Sequence, residues 1–175
     1  MGKVPLYRFP ESAAIALTRT WAYRVWREEP LVFPDFPDLK LEEARRLLEG
    51  KTKGPKEEAQ LLEAFGLPLG ARGGLELVLK VEPHPLFGPT LGLYLPTPLG
   101  EWNLGLRLSP LTEGDAKALL SPLADGGAKE GELEGYREVL LRTSRLVEEL
   151  PQLERLTLRL KGPGIAEHQV VLRAD

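Results

Sequence analysis

Proline and glycine punctuate this chain so closely that most of its structural elements must be short. There are 16 prolines and 18 glycines in 175 residues. Proline fixes φ and lacks an amide hydrogen, while glycine marks turns, so each interrupts regular structure or aims it in a new direction. Short alternating runs separated by such residues pair as hairpins, because a parallel crossover needs a dozen or more connecting residues. The punctuation therefore predicts an α+β fold with a mostly antiparallel sheet and packed helices.

The segment Phe9-Pro10-Glu11-Ser12 predicts a helix start, with proline in the first turn and a carboxylate at the positive end of the dipole. Ala14, Leu17, Trp21 and Val25 then recur at helical spacing, flanked by Ile15, Thr18, Ala22 and Trp26. This face is broad enough to need more than one neighbouring element. The helix should end near Arg27–Glu29, before Pro30, Pro34 and Pro37 impose an extended linker. Two short amphipathic helices follow, the first stopped by Gly50 and the second running from Pro55 to Gly66.

Residues 75–81, 89–95 and 103–108 read as strands. Thr112-Glu113-Gly114-Asp115 resembles a capping box for a helix through about Leu120. After the glycine-rich stretch 124–135, the longest helix carries Leu133, Tyr136, Leu140, Thr143, Val147 and Leu150 on one face and stops at Pro151. Residues 155–161 and 167–174, joined by Gly162-Pro163-Gly164, read as a closing hairpin. The expected organisation is an N-terminal helix and proline-rich linker over 1–38, two short helices over 39–72, and an α+β subdomain over 73–175.

Composition narrows the chemistry. No cysteine is present and only two histidines, which excludes disulfides, thiolate metal sites and thiol nucleophiles. The balance of 23 basic and 26 acidic residues gives a net charge of -3, against a nucleic-acid partner. MGKVPLYRF has no apolar core of a signal peptide, and no segment approaches 18 uninterrupted apolar residues, so a cytoplasmic protein without membrane contact is expected. About one residue in five is leucine and Asn103 is the sole asparagine; few labile residues among many charges fits a thermophilic source.

His84 lies between prolines and His168 at the start of the last strand, each without a neighbouring ligand, and both are expected to be exposed. Gly126-Gly127 lacks the Gly-Lys-Ser/Thr ending of a phosphate loop and precedes Glu130, Glu132 and Glu134, which repel anions. Arg19, Trp21, Tyr23, Arg24, Trp26 and Arg27 combine the residue types that dominate interfaces. Trp21, Tyr23, Arg24 and Trp26 are the candidate partner-binding set; the alternative turns Trp21 inward and leaves the arginines solvated.

Several strings resemble NDP-forming acyl-CoA synthetases, the ADP-forming acetate–CoA ligase type. Val4–Pro30 is similar to the segment joining the CoA-ligase and ATP-grasp domains, with Tyr23 and Trp26 at its Tyr-x-x-Trp ending. EEAQLLEAFGLPL, with Phe65, Gly66 and Pro68, resembles the family's helix and turn. Gly73–Pro89 resembles G-x-E-L-x-x-G-V-x-x-D-P-x-F-G-P, and Leu106–Ala116 resembles R-L-x-P-L-T-x-x-D-A. The resemblance implies the C-terminal subdomain of an ATP-grasp fold with the linker that precedes it.

The departures imply a truncated and degenerate copy. Between Leu69 and Gly73 the family inserts its first ATP-grasp subdomain, with the phosphate lysine. Thr157 and Arg159 stand where the family presents magnesium-binding Asp-x-Asn, and His84 replaces an aspartate. Tyr94–Thr97, with Pro96 inside it, replaces a glycine-rich phosphate cradle. The implied nucleotide-site remnant is Glu76, Glu101 and Arg107, with no catalytic or metal-binding residue. Glu76 and Glu101 could act as a carboxylate pair, although alternation sets Glu76 toward solvent between Leu75 and Leu77.

The resemblance points to a non-catalytic structural or regulatory interaction module without cofactor, forming a homo-oligomer or binding an acyl-CoA synthetase-like subunit. The alternative is one subunit of a split synthetase, using ATP and Mg²⁺ at a site completed by a partner. A third reading is a small-ligand cleft around Phe87 and Trp102.

Overall fold

The computed structural model describes residues 5–28, 30–49 and 54–173. Gly50, the expected helix stop, and Ala174, in the expected last strand, lie outside them, as does Glu29. The chain forms two compact units, residues 1–31 and 32–175. The first holds helix α1, Pro10–Glu28. The second holds α2 (Leu41–Glu49), α3 (Pro55–Ala64), β1 (Glu76–His84), β2 (Gly88–Thr97), β3 (Gly100–Leu108), α4 (Glu113–Asp125), α5 (Glu130–Glu149), β4 (Leu153–Lys161) and β5 (Gly164–Leu172).

The five strands make one antiparallel sheet in the order β3-β2-β1-β4-β5. Three tight hairpins account for β1-β2, β2-β3 and β4-β5, as the glycine and proline spacing requires. Helices α4 and α5 carry the chain from edge strand β3 to β4 on the far side of β1. On β1, Leu77, Leu79 and Val81 turn toward the helices and are buried beside Leu91 and Leu93 of β2 and Leu156, Leu158 and Leu160 of β4. Leu119 and Leu123 of α4 and Tyr136, Val139 and Leu140 of α5 close this core. Each fully buried large side chain contributes about 1.5–3 kcal/mol.

Capping fixes the start of α4. The Thr112 hydroxyl accepts from the Asp115 amide at 3.1 Å, and the Asp115 carboxylate accepts from the Thr112 amide at 3.1 Å. The carbonyl of Val32 accepts from the Glu113 amide, so the proline-rich stretch ties into this helix instead of hanging free. Helix α4 also runs to Asp125, past the stop expected near Leu120, with Pro122 inside it. Proline has no amide for the Ala118 carbonyl, and the Ser121 hydroxyl donates to that carbonyl at 3.0 Å instead.

Arg142, largely buried in α5, organises the linker side of the unit. Its guanidinium reaches the Asp38 carboxylate and Glu138, each at 2.9 Å, donates to the Phe65 carbonyl and lies 4.6 Å from the Phe36 ring centroid. Burial alone would lower the pKa of Arg142, but hydrogen bonds to Asp38 and Glu138 outweigh it and raise the value. The same guanidinium holds the Asp38 carboxyl below its ordinary range.

Candidate functional site

Because β1 turns Leu77, Leu79 and Val81 to the core, its even-numbered residues line the opposite face of the sheet, which is open at Glu76 and buried at Val78. Glu76 and Lys80 lie there, and so does Glu101 of β3, which forms an ion pair with Lys80 across the intervening strand. The Lys80 ammonium sits 4.9 Å from the Tyr94 ring centroid. Tyr94 can lie flat because Gly92 leaves room; a β-carbon there would come within 2.7 Å of the ring. Glu76 pairs with Lys161 of β4 at 3.2 Å, and Arg159 pairs with Glu167 of β5 at 3.5 Å. Lys80, Arg159 and Lys161 are thus each held by a carboxylate on another strand.

Arg107 does not join them. The register of β3 against β2 shifts between Leu93 and Tyr94, which leaves Leu104 as an extra residue and reverses the alternation beyond it. Arg107 consequently lies opposite core-facing Leu91, on the helix side. It donates to the Leu106 carbonyl at 2.9 Å and pairs with Asp115 of α4 at 3.4 Å. Of the three residues expected to form a nucleotide-site remnant, the structure brings Glu76 and Glu101 to one face and sends Arg107 to the other.

Phe87 and Trp102 are separated as well. Phe87 stacks on His84 at 4.8 Å between ring centroids, in the β1-β2 hairpin. Trp102 borders a groove of 430 Å³ between the β2-β3 end of the sheet and the α4-α5 connection, with Leu95, Leu104, Pro122, Leu123 and Glu132. His168, expected to be exposed, is half-buried on the helix side, its Nε2 4.0 Å from Glu58 of α3. The reason is its register opposite core residue Leu158. Among the described residues, no group of three or more acidic or histidine side chains is placed to hold a metal ion.

No family model and no curated protein sequence matches the chain. A crystal structure does. The chain shares the fold of PH1788 from Pyrococcus horikoshii Ot3. The two superpose with a TM-score of 0.63 at 18% identity, over 77% of this chain and 99% of PH1788. Two structures of a dinucleotide-forming acetyl-coenzyme A synthetase 1 from Candidatus Korarchaeum cryptofilum also match. One, with coenzyme A and Mg-AMPPCP, gives a TM-score of 0.47 at 17% identity over 81% of this chain and 75% of that one. The other, with coenzyme A, gives 0.47 at 19% identity over 67% and 62%.

Within unit 1, α1 has no buried residue. Trp21, Tyr23 and Trp26 are 65%, 58% and 62% exposed. The Arg24 guanidinium lies 5.8 Å from the Trp21 ring centroid and pairs with Glu28, while Tyr23 and Trp26 meet at 5.6 Å. No helix among the described residues is long and apolar enough to cross a membrane.

Sequence reasoning gives no role to Lys80, to the Tyr94 ring or to Glu132 individually. In the chain, Lys80 is one charge inside an apolar run and Glu132 one acid among three. Their partners lie 21 and 57 residues away, on Glu101 and Leu75.

Proposed function

We propose that this chain is a non-catalytic relative of the ATP-grasp portion of NDP-forming acyl-CoA synthetases, working in the cytoplasm as a structural or regulatory interaction module. The sequence strings around Phe65-Gly66, Phe87-Gly88-Pro89 and Arg107–Thr112 support the kinship, and the antiparallel α+β architecture is compatible with it. One observation carries the non-catalytic reading. On the open sheet face Lys80, Arg159 and Lys161 each sit within 4.0 Å of a carboxylate, so a polyphosphate docking there would have to displace Glu101, Glu167 or Glu76. Binding of a second copy or of a synthetase-like subunit falls to α1, whose Trp21, Tyr23, Arg24 and Trp26 present aromatic and cationic surface.

Titration calorimetry of the purified protein with ATP and Mg²⁺ tests this reading. No saturable heat is expected up to millimolar nucleotide. Micromolar, Mg²⁺-dependent binding would overturn it. Acyl-CoA formation that appears only on mixing with a partner subunit, and that requires Glu76 or Glu101, would replace it with the split-enzyme reading.

A further inference from the structure

The groove beside Trp102 has a one-sided chemistry. Its walls are apolar, formed by Leu95, Leu104, Pro122 and Leu123, with Trp102 at the rim, and among the described residues Glu132 is its one charged lining residue. The amides of Gly126, Gly127 and Ala128, which also line it, already donate to the carbonyls of Pro122, Ala124 and Leu123. They have nothing left for an anion. Glu132 is the third residue of α5, where the helix dipole favours a carboxylate. Its Oε1 accepts from the Leu75 amide at 2.8 Å, which holds the carboxylate in place, and lies 3.1 Å from the Tyr136 hydroxyl, whose one proton goes to the Leu75 carbonyl; no described donor reaches Oε2.

From this geometry we propose that the groove binds a small amphiphilic amine. The apolar body lies between the leucines and Pro122, and the ammonium meets Glu132 with the Trp102 face close by. A volume of 430 Å³ is within the range of small-molecule sites. An ammonium is the complement of one fixed carboxylate in a groove that Trp102 also borders, and the attraction to the carboxylate is stronger where apolar walls limit water. An anion would find only an acceptor, and a neutral apolar molecule would leave the carboxylate desolvated without a partner.

The probes are phenethylamine and its neutral counterpart 2-phenylethanol, followed by ¹⁹F NMR on protein carrying 5-fluorotryptophan, with the Trp102 resonance assigned through Trp102→Phe. The amine should shift that resonance saturably with a Kd on the order of 1–10 mM, leaving the Trp21 and Trp26 resonances in place. It should bind about tenfold or more tightly than the alcohol. Glu132→Gln keeps an acceptor for the Leu75 amide and should erase that preference. Equal affinity for amine and alcohol in the unaltered protein sinks the proposal, as does a Trp102 resonance that shows no saturation. The amine–alcohol comparison needs no variant, so it stands even if Glu132→Gln fails to fold. Because neither probe is a nucleotide, failure here leaves the non-catalytic reading untouched.

Discussion

Tyr136 of α5 donates its hydroxyl proton to the carbonyl of Leu75, the residue that leads into the central strand. The Leu75 amide meanwhile donates to Glu132, one turn earlier on the same helix. Two side chains of α5 thus hold both backbone groups of one residue and set where β1 enters the sheet. Burial first, and the Glu132 charge second, push the Tyr136 pKa well above its ordinary value, so the hydroxyl remains a donor.

Tyr136→Phe should therefore lower stability by about 1 kcal/mol in urea denaturation. The loss stays near that figure because the Leu75 carbonyl also accepts from the Gly162 amide. No change in the urea midpoint would show that the ring alone matters.

Arg142→Met removes a guanidinium shared by Asp38, Glu138 and the Phe65 carbonyl, and should cost about 2–3 kcal/mol. The pairing also has a pH signature. The Asp38 pKa is depressed in the folded state from its ordinary value of 3.8, so its contribution is complete above that value and is lost as pH falls through the lower folded pKa. The Asp38 side chain is 55% exposed, so this effect is screened and small. Acid titration of stability should show a steeper decline below pH 3.8 in the parent than in Arg142→Met; parallel curves would remove Asp38 from the account.

Thr143 is fully buried in α5, and its hydroxyl oxygen has no hydrogen-bond partner among the described residues. Thr143→Val replaces that hydroxyl with a methyl of similar size. Thermal denaturation should show equal or higher stability, by up to about 1 kcal/mol. A clear loss would mean that the hydroxyl finds a partner.

Two glycines should respond in opposite directions. Gly162 has φ +60°, and a β-carbon there would lie 1.9 Å from the Gly73 carbonyl oxygen. Gly162→Ala should cost about 3 kcal/mol, a fall in Tm of roughly 6–12 °C. Gly131 lies in the first turn of α5, where a β-carbon would meet nothing within 4 Å, and Gly131→Ala should stabilise by about 0.5–1 kcal/mol. Calorimetric melting of the two variants reads both signs at once.

The Lys80–Glu101 pair is largely shielded from water, its side chains being 28% and 29% exposed. A double-mutant cycle with Lys80→Met and Glu101→Gln should give a coupling of about 1–2 kcal/mol. A value near zero would make the pair no more than a surface contact.

The local rules were legible in the chain. Proline and glycine spacing marks the hairpins, Thr112 and Asp115 announce the start of α4, and the leucines at alternate positions of 77–81 and 156–160 identify the buried face of two strands. These signals act over a few residues, through φ restrictions, capping hydrogen bonds and side-chain periodicity, so the sequence alone determines them. Whether Arg107 shares a face with Glu101 depends on Leu104, left as an extra residue where the register of β3 against β2 shifts. Pro122 ends no helix because Ser121 offers its hydroxyl, and His168 is half-buried because β5 lies opposite Leu158. The tertiary structure also decided the Lys80–Glu101 contact and the grip of Glu132 and Tyr136 on Leu75. Those relationships join residues far apart in the chain, and only the closing of the sheet over its helices brings them together.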